Sequence, residues 1–460
     1  MAINLSNPLN DKVISNQEKS FMRNLQANIL KGHGREHVAL VFLSIDNVDK
    51  ARKYLHDYPV SDAHTQLEET KRFKNEGIPG GLIRLVFISK LGLDKFGQGG
   101  KFNGFDAFSN GMSADTSVLD NGTTASWQNE LKQNDPKKEI NVLLLIAYHD
   151  PIVVARIVGK LADNIKGCFN IVFIQEGKAY KNADGEGIEH FGYVDGRSQA
   201  LMLTSQIEAE KNSLGGTDQY DPSAPLNQFI LADPLDANGF GSFFVFRKLE
   251  EDVAGFKLKE EELAEKLKLV NKDAERAGAM VVGRFEDGTP VTLHNQEAGV
   301  PVVNNFNYNS DAAGLRCPFQ AHIRKSNPRG STPKGLEFDK SVQMARRGIT
   351  YGTRIQDPDS KELLDKPNDG VGLLFMSYQA SIEKQFQFMQ TKWVNNERFP
   401  KAGVGLDPVI GQGNNASFPQ KWFPTFDSNV GDKDFLFQSF VKLKGGEYFY
   451  TPSLSGIKNL

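Results

Sequence analysis

Four runs in the first half of the chain are almost wholly apolar and are bounded by polar or turn-forming residues: VALVFLSI (38–45), GGLIRLVFIS (80–89), INVLLLIAY (140–148) and CFNIVFIQE (168–176). Their β-branched and aromatic content predicts strands. A helical pattern, VDKARKYLHD, lies between the first two, and PIVVARIVGKLADN lies between the last two with Pro151 at a first helical position. The order is β-α-β, then β-α-β again. That order predicts a ferredoxin-like arrangement, an antiparallel sheet covered by helices on one face.

The second half repeats the plan more loosely. GSFFVFRKLEE (241–251) reads as a strand running towards LKEEELAEKLKLV (258–270), where Leu258, Leu263, Leu267 and Val270 keep a helical period. Later, GVGLLFMSYQ (370–379) leads directly into the amphipathic ASIEKQFQFMQTKWV (380–394). Between these two β-α units, roughly from VVGRFEDGTPV to KELLDKPNDG, long periodic runs are scarce. Irregular insertions of that size inside a compact domain tend to be functional. A charged link rich in Gly, Ser and Asp, EAEKNSLGGTDQYDPSAP (208–225), separates the halves, so the expected domains are 1–215 and 216–460.

Composition narrows the function. A chain of 460 residues is long enough for two large domains. With 54 basic against 57 acidic residues and a formal net charge of -3, it has no electrostatic footprint for nucleic acid or an anionic membrane. The start lacks the basic and apolar regions of a secretory signal, and no apolar run is long enough to span a membrane, so a cytoplasmic protein is expected. Cys168 and Cys317 are too few for a disulfide framework and lack the paired spacing of a zinc site.

The familiar catalytic signatures are missing. None of the eight histidines forms a His-x-x-x-His pair enclosing an acid, no Gly-x-Ser-x-Gly elbow occurs, and no Gly-x-Gly-x-x-Gly follows a first strand. FGQGGKFNGF (97–106) is Gly-rich without the lysine of a phosphate loop. Two stretches remain, EHFGYVDGRSQA (189–200) and CPFQAHIRKSNPRG (317–330). Taken singly, the first reads as an Asp-Gly turn and the second as a surface histidine among basic residues on a loop.

Taken together they carry more. In order, NLQANILKGHGREHVALVFL, HFGYVDGRSQ, GSFFVFRKLEEDV, VVGRFEDGTPV, CPFQAHIRKSNPR, MARRGITYG and GLLFMSYQASIEKQFQFMQTKW resemble the dye-decolourising peroxidases, in their longer-chain subgroup, over about residues 24 to 400. The resemblance implies an α+β protein of two ferredoxin-like domains with antiparallel sheets. One haem b per chain would sit in the second domain and face the domain interface. It also implies a peroxidase that reduces hydrogen peroxide and oxidises dyes, phenols or other aromatic reductants by one-electron steps. The alternative is a haem-handling protein with incidental turnover.

The same resemblance assigns His322 to the iron, with Arg329 and then Arg324 as partners of the haem propionates. Glu383 takes the place of the carboxylate that accepts the second ring N–H of the ligand histidine. Asp195 of the Gly-x-x-Asp-Gly motif would move the peroxide proton. Arg346, with Arg347 as the fallback, would stabilise charge on the departing oxygen. Leu374 and Phe375 are expected as apolar walls of the distal pocket; Trp127, Trp393, Trp422, Tyr351 and Tyr378 are candidates for surface relays of electrons from bulky dyes, although such side chains more commonly pack cores. Homo-oligomers are compatible with this reading, and neither nucleic acid nor a membrane is expected as a partner.

Overall fold

In the computed structural model, which describes residues 3–132, 138–299, 302–413 and 420–460, the four apolar runs of the first half are strands. They are β1 (His37–Ile45), β2 (Ile83–Ser89), β3 (Val142–Tyr148) and β4 (Phe169–Lys178). Two helices, α1 (Val48–Asp57) and α2 (Ala63–Glu76), connect β1 to β2, and α3 (Pro151–Asn164) connects β3 to β4. Caps set the helix starts. Asn47 accepts the Lys50 amide at the head of α1, and Asp150 accepts the Ile152 amide while Pro151 occupies the first turn of α3.

All pairings in this half are antiparallel, in the order β2-β3-β1-β4. The second half supplies β5 (Phe240–Glu251), the short β6 (Ala345–Arg346) and β7 (Ile349–Tyr351), β8 (Gly372–Gln379) and β9 (Val441–Thr451). These run β7-β8-β5-β9, so each half places its fourth strand beside its first and its third between first and second. Phe449 and Tyr450 of β9 then pair with Ser89 and Ile88 of β2, joining the halves into one ten-stranded sheet.

The join is packed as well as hydrogen-bonded. Phe87 of β2 stacks on Phe244 of β5 at 4.1 Å between ring centroids. Each fully buried phenylalanine of this kind contributes about 1.5–3 kcal/mol. A second core lies under α4 (Val253–Leu267), where Phe256 stacks on Phe191 at 4.0 Å. This core fixes the start of the Gly-x-x-Asp-Gly loop.

Three elements differ from expectation. α4 begins at Val253, five residues before the predicted Leu258, because Asp252 caps it through the Gly255 amide. The segment after β8 is helical as predicted, but it winds wider than an α-helix over Ile382–Gln387 and Met389–Val394. The stretch around residue 322 is a short helix, α5 (His322–Ser326), rather than a loop. Among the described residues, no helix is long and apolar enough to cross a membrane.

Candidate active site

α5 is held in place by a buried ion pair. Asp311 accepts the amides of Leu315, Arg316 and Cys317 and the guanidinium of Arg324, which lies 2.9 Å from it. Arg324 is only 1% exposed and lies between the rings of Tyr308 and Phe319. Its expected role toward a propionate is therefore corrected: it ties down the strand of chain that presents His322.

His322 opens α5 with its side chain 21% exposed. Its Nδ1 lies 2.9 Å from Oδ2 of Asp407, a fully buried carboxylate whose other oxygen accepts the amides of Val409 and Ile410 at 2.8 and 3.0 Å. Burial alone would raise the Asp407 carboxyl, but the charge and hydrogen bond of His322 and the two amides hold it below its ordinary value. Burial opposes charge on His322, and Asp407 more than offsets it, so the imidazole is raised. Because a carboxylate only accepts, Nδ1 carries the hydrogen. Nε2 is left as a free donor atom for a metal, with no hydrogen-bond partner among the described residues.

The carboxylate expected from Glu383 is thus supplied by Asp407. Glu383 accepts the Ala107 amide at 2.8 Å and the Ser381 hydroxyl at 3.1 Å, which fixes the helical turn it stands on. Asp407 sits in LDPVIG with only an Asp-Pro turn to mark it.

The acid and the guanidinium come from opposite halves. In the 189–198 loop, Glu189 accepts the amides of Phe191 and Tyr193, and the Asp195 amide donates to the Gly187 carbonyl at 2.9 Å. Gly192 has φ +101°, and a Cβ there would press on the Glu286 carboxylate. So held, Asp195 presents Oδ1 3.7 Å from Nη1 of Arg346, the two side chains being 40% and 34% exposed. Arg346 is fixed by β6 pairing opposite Ser377 and by Nη2 donating to the Arg197 carbonyl at 3.0 Å. The charges of Asp195 and Arg346 both act on the His322 imidazole, Arg346 lowering it and Asp195 raising it, so the pair lies within electrostatic reach of that ring. Arg347 points elsewhere and is consumed by the carbonyls of Asn28, Ile29 and Arg346.

Alternation along β8 separates the two expected wall residues. Phe375 shares the face of Ser377 and hence of Arg346. Leu374 faces the other way, fully buried opposite Ile349 and against Gly177, so its expected place in the pocket wall is corrected.

Arg329 is buried at φ +49° and converges with Arg284 on Ser198 and Asn304. The two guanidiniums also flank the Phe306 ring. Neither forms an ion pair with a carboxylate among the described residues; their acceptors are carbonyls, a hydroxyl and an amide. Burial, and then the charge of Arg329, push Arg284 down to about 9. Two buried cations without an anion leave a site that a dicarboxylate would complete. Arg284 lies in VVGRFEDGTPV, one of the quoted motifs, and only its adjacency to Arg329 singles it out.

Glu189 meets a second buried carboxyl, Glu251, which is 4% exposed. Burial pushes Glu189 up to about 7 against the opposing effect of its amides and Lys257, and Asp195 adds to the rise. A carboxyl raised in the fold contributes stability fully below its unfolded value of about 4.5, and that stability is lost as pH rises through about 7. Glu251→Gln is therefore expected to flatten the fall in stability between pH 5 and 8, gaining at least about 1 kcal/mol over the native chain at pH 8. Denaturant titration at both pH values checks it.

The five candidates for surface relays, Trp127, Trp393, Trp422, Tyr351 and Tyr378, are all buried, none more than 4% exposed. They pack cores, as large aromatic side chains usually do.

Comparison with known proteins gives a consistent set of relatives. The chain is 39% identical to the multifunctional dye peroxidase DyP2 of Amycolatopsis sp. over the full length of both. It superposes on a solved structure of that protein with a TM-score of 0.92, covering all of both chains at 37% identity. A solved DyP-type peroxidase from Anabaena sp. matches at TM-score 0.89 and 32% identity, covering 99% of this chain and 98% of that one. Peroxidase 2 of Mycetinis scorodonius is 26% identical over 95% of this chain and 87% of its own. No family model matches the chain.

Proposed function

The chain belongs to the dye-decolourising peroxidase family, and from that premise we propose how its residues serve the reaction. It is an oxidoreductase acting on a peroxide as acceptor. The proposed cofactor is one haem b per chain, held by the second of two ferredoxin-like domains, 216–460, and facing the first, 1–215. The repeated strand order supports the two-domain reading. The donor set fits the cofactor: a free imidazole nitrogen suits the iron, and the unpaired cations Arg284 and Arg329 suit its two propionates.

Bound haem would supply a redox iron able to cleave the O–O bond of hydrogen peroxide and to accept electrons singly from dyes or phenols. The chain's residues do the rest. His322 would hold the iron through Nε2, and Asp407, by accepting the Nδ1–H, would make that imidazole a stronger donor. Asp195 would take a proton from one peroxide oxygen and return it to the oxygen that leaves. The guanidinium of Arg346 stabilises the negative charge that gathers on the leaving oxygen, and its bond to the Arg197 carbonyl keeps it in position.

The observation that carries this reading is His322 braced by a buried carboxylate, with the Asp195–Arg346 pair within electrostatic reach of its ring. Paired substitutions test the proximal half. Asp407→Asn is expected to raise the haem reduction potential and to lower peroxidase turnover by about 10–100-fold. Glu383→Gln should leave both near the native values. Potentiometric titration followed at the Soret band checks it, and a potential that responds to Glu383 instead would overturn the assignment.

A further inference from the structure

Away from the haem residues, α1 and α3 part over β2 and β3 and leave a cavity of about 530 Å³. Its floor is apolar, made by Ile146, Ile157 and Leu161 with the rings of Tyr54 and Tyr58, whose centroids are 5.8 Å apart. The rim is cationic. Lys50, Arg84 and Lys160 line it, and none of the three forms an ion pair among the described residues. One carboxylate, Asp57, also lines the cavity, paired with the lining Lys53, while Asp49 and Asp163 pair with Arg52 and Lys166, so the lining keeps a surplus of positive charge.

One polar atom inside is also unmet. The Tyr58 hydroxyl is buried without a hydrogen-bond partner. Burial pushes both phenols up, Tyr54 to about 12, so each holds its proton as a hydrogen-bond donor at neutral pH. An apolar floor beneath surplus positive charge and an unused donor selects against neutral or cationic ligands. The volume suits a small organic molecule, since such sites span about 300–1,000 Å³.

We propose that this cavity is a binding site for a small aromatic anion, an aryl sulfonate or carboxylate. The ring lies on the Tyr54 and Tyr58 side of the floor, the acid group faces Lys50, Arg84 and Lys160, and the Tyr58 hydroxyl donates to the ligand. Cys168, half-buried, lines the same cavity and reports its occupancy, because the other thiol, Cys317, is buried.

The test is calorimetric titration of the haem-loaded full chain with 2-naphthalenesulfonate. One saturable site is expected, weakened at least about 10-fold in Arg84→Gln/Lys160→Gln and severalfold in Tyr58→Phe. Salt at about 0.5 M should weaken it further. The neutral isostere 2-naphthol should bind at least about 10-fold less tightly. Arg346→Leu should bind the sulfonate as the native chain does, separating this site from the haem pocket. On the native chain, saturating sulfonate should slow alkylation of Cys168 by N-ethylmaleimide, read by mass spectrometry; this arm holds even if a variant misfolds. Equal binding of naphthol and sulfonate, native affinity in the folded double variant, or unprotected Cys168 would each overturn the proposal.

Discussion

Purified His322→Ala protein is expected to lack the Soret band that the native chain shows when expressed with haem supplied. In the proposed arrangement His322 supplies the iron donor: its Nδ1 is held by the buried Asp407, and Asp195 pairs with Arg346. Loss of that donor would remove the proposed bond to iron and leave the proposed propionate partners, Arg284 and Arg329, to hold the cofactor. Removing one partner of a buried charged pair also costs about 3–5 kcal/mol, because the remaining charge is uncompensated. The amides of Val409 and Ile410 offset part of this at Asp407. The variant His322→Ala/Asp407→Asn removes the stranded charge as well, and should fold natively by circular dichroism while still lacking the band. Added free imidazole is expected to restore absorbance in the single variant, since it refills the space between Asp407 and the iron. A full Soret band without His322, and without added imidazole, would remove the ligand assignment.

The sheet was legible where apolar runs were continuous. β1 to β4 and β5 differ from the expected spans by at most three residues at either end: β1, β2, β3 and most of β5 are buried on both faces and show as uninterrupted runs, while the partly exposed end strand β4 keeps a run of β-branched and aromatic residues. β9 escaped notice for the opposite reason. Lys442, Lys444, Gly445 and Gly446 break its first half, and the register shifts between Leu443 and Gly445, so neither alternation nor a continuous run survives. The site was legible only in part. His322, Asp195 and Arg346 stand in motifs of the sequence, and the structure brings Asp195 to 3.7 Å from Arg346, with both charges acting on His322. Asp407 could not be read from local pattern, because its role depends on a contact across 85 positions of chain. The resemblance already puts Arg346 ahead of Arg347, and the pairing of β6 with β8 gives the physical reason that, of the two adjacent side chains, Arg346 faces Asp195.

Asp195→Asn is expected to keep the native Soret band while slowing the reaction with hydrogen peroxide by about 10²–10⁴-fold, the range for removal of a positioned general acid–base group. Asparagine preserves the shape of the loop, since the fixed contacts there belong to the backbone: the Asp195 amide on the Gly187 carbonyl and the Glu189 carboxylate on two amides. What it loses is the ability to accept a proton and give it back. Arg346→Leu should cost about 10²–10³-fold by removing a preorganised cation from the leaving oxygen, again with haem retained. The two effects should not multiply. The side chains lie 3.7 Å apart and act on the same proton-coupled departure of one oxygen, so the double variant is expected to fall close to the worse single variant. Stopped-flow absorbance after mixing with peroxide measures all three rates. A pH dependence present in Arg346→Leu and absent in Asp195→Asn would identify the carboxylate as the group that moves the proton. Native rates in Asp195→Asn would assign that step elsewhere and leave the loop a purely structural role.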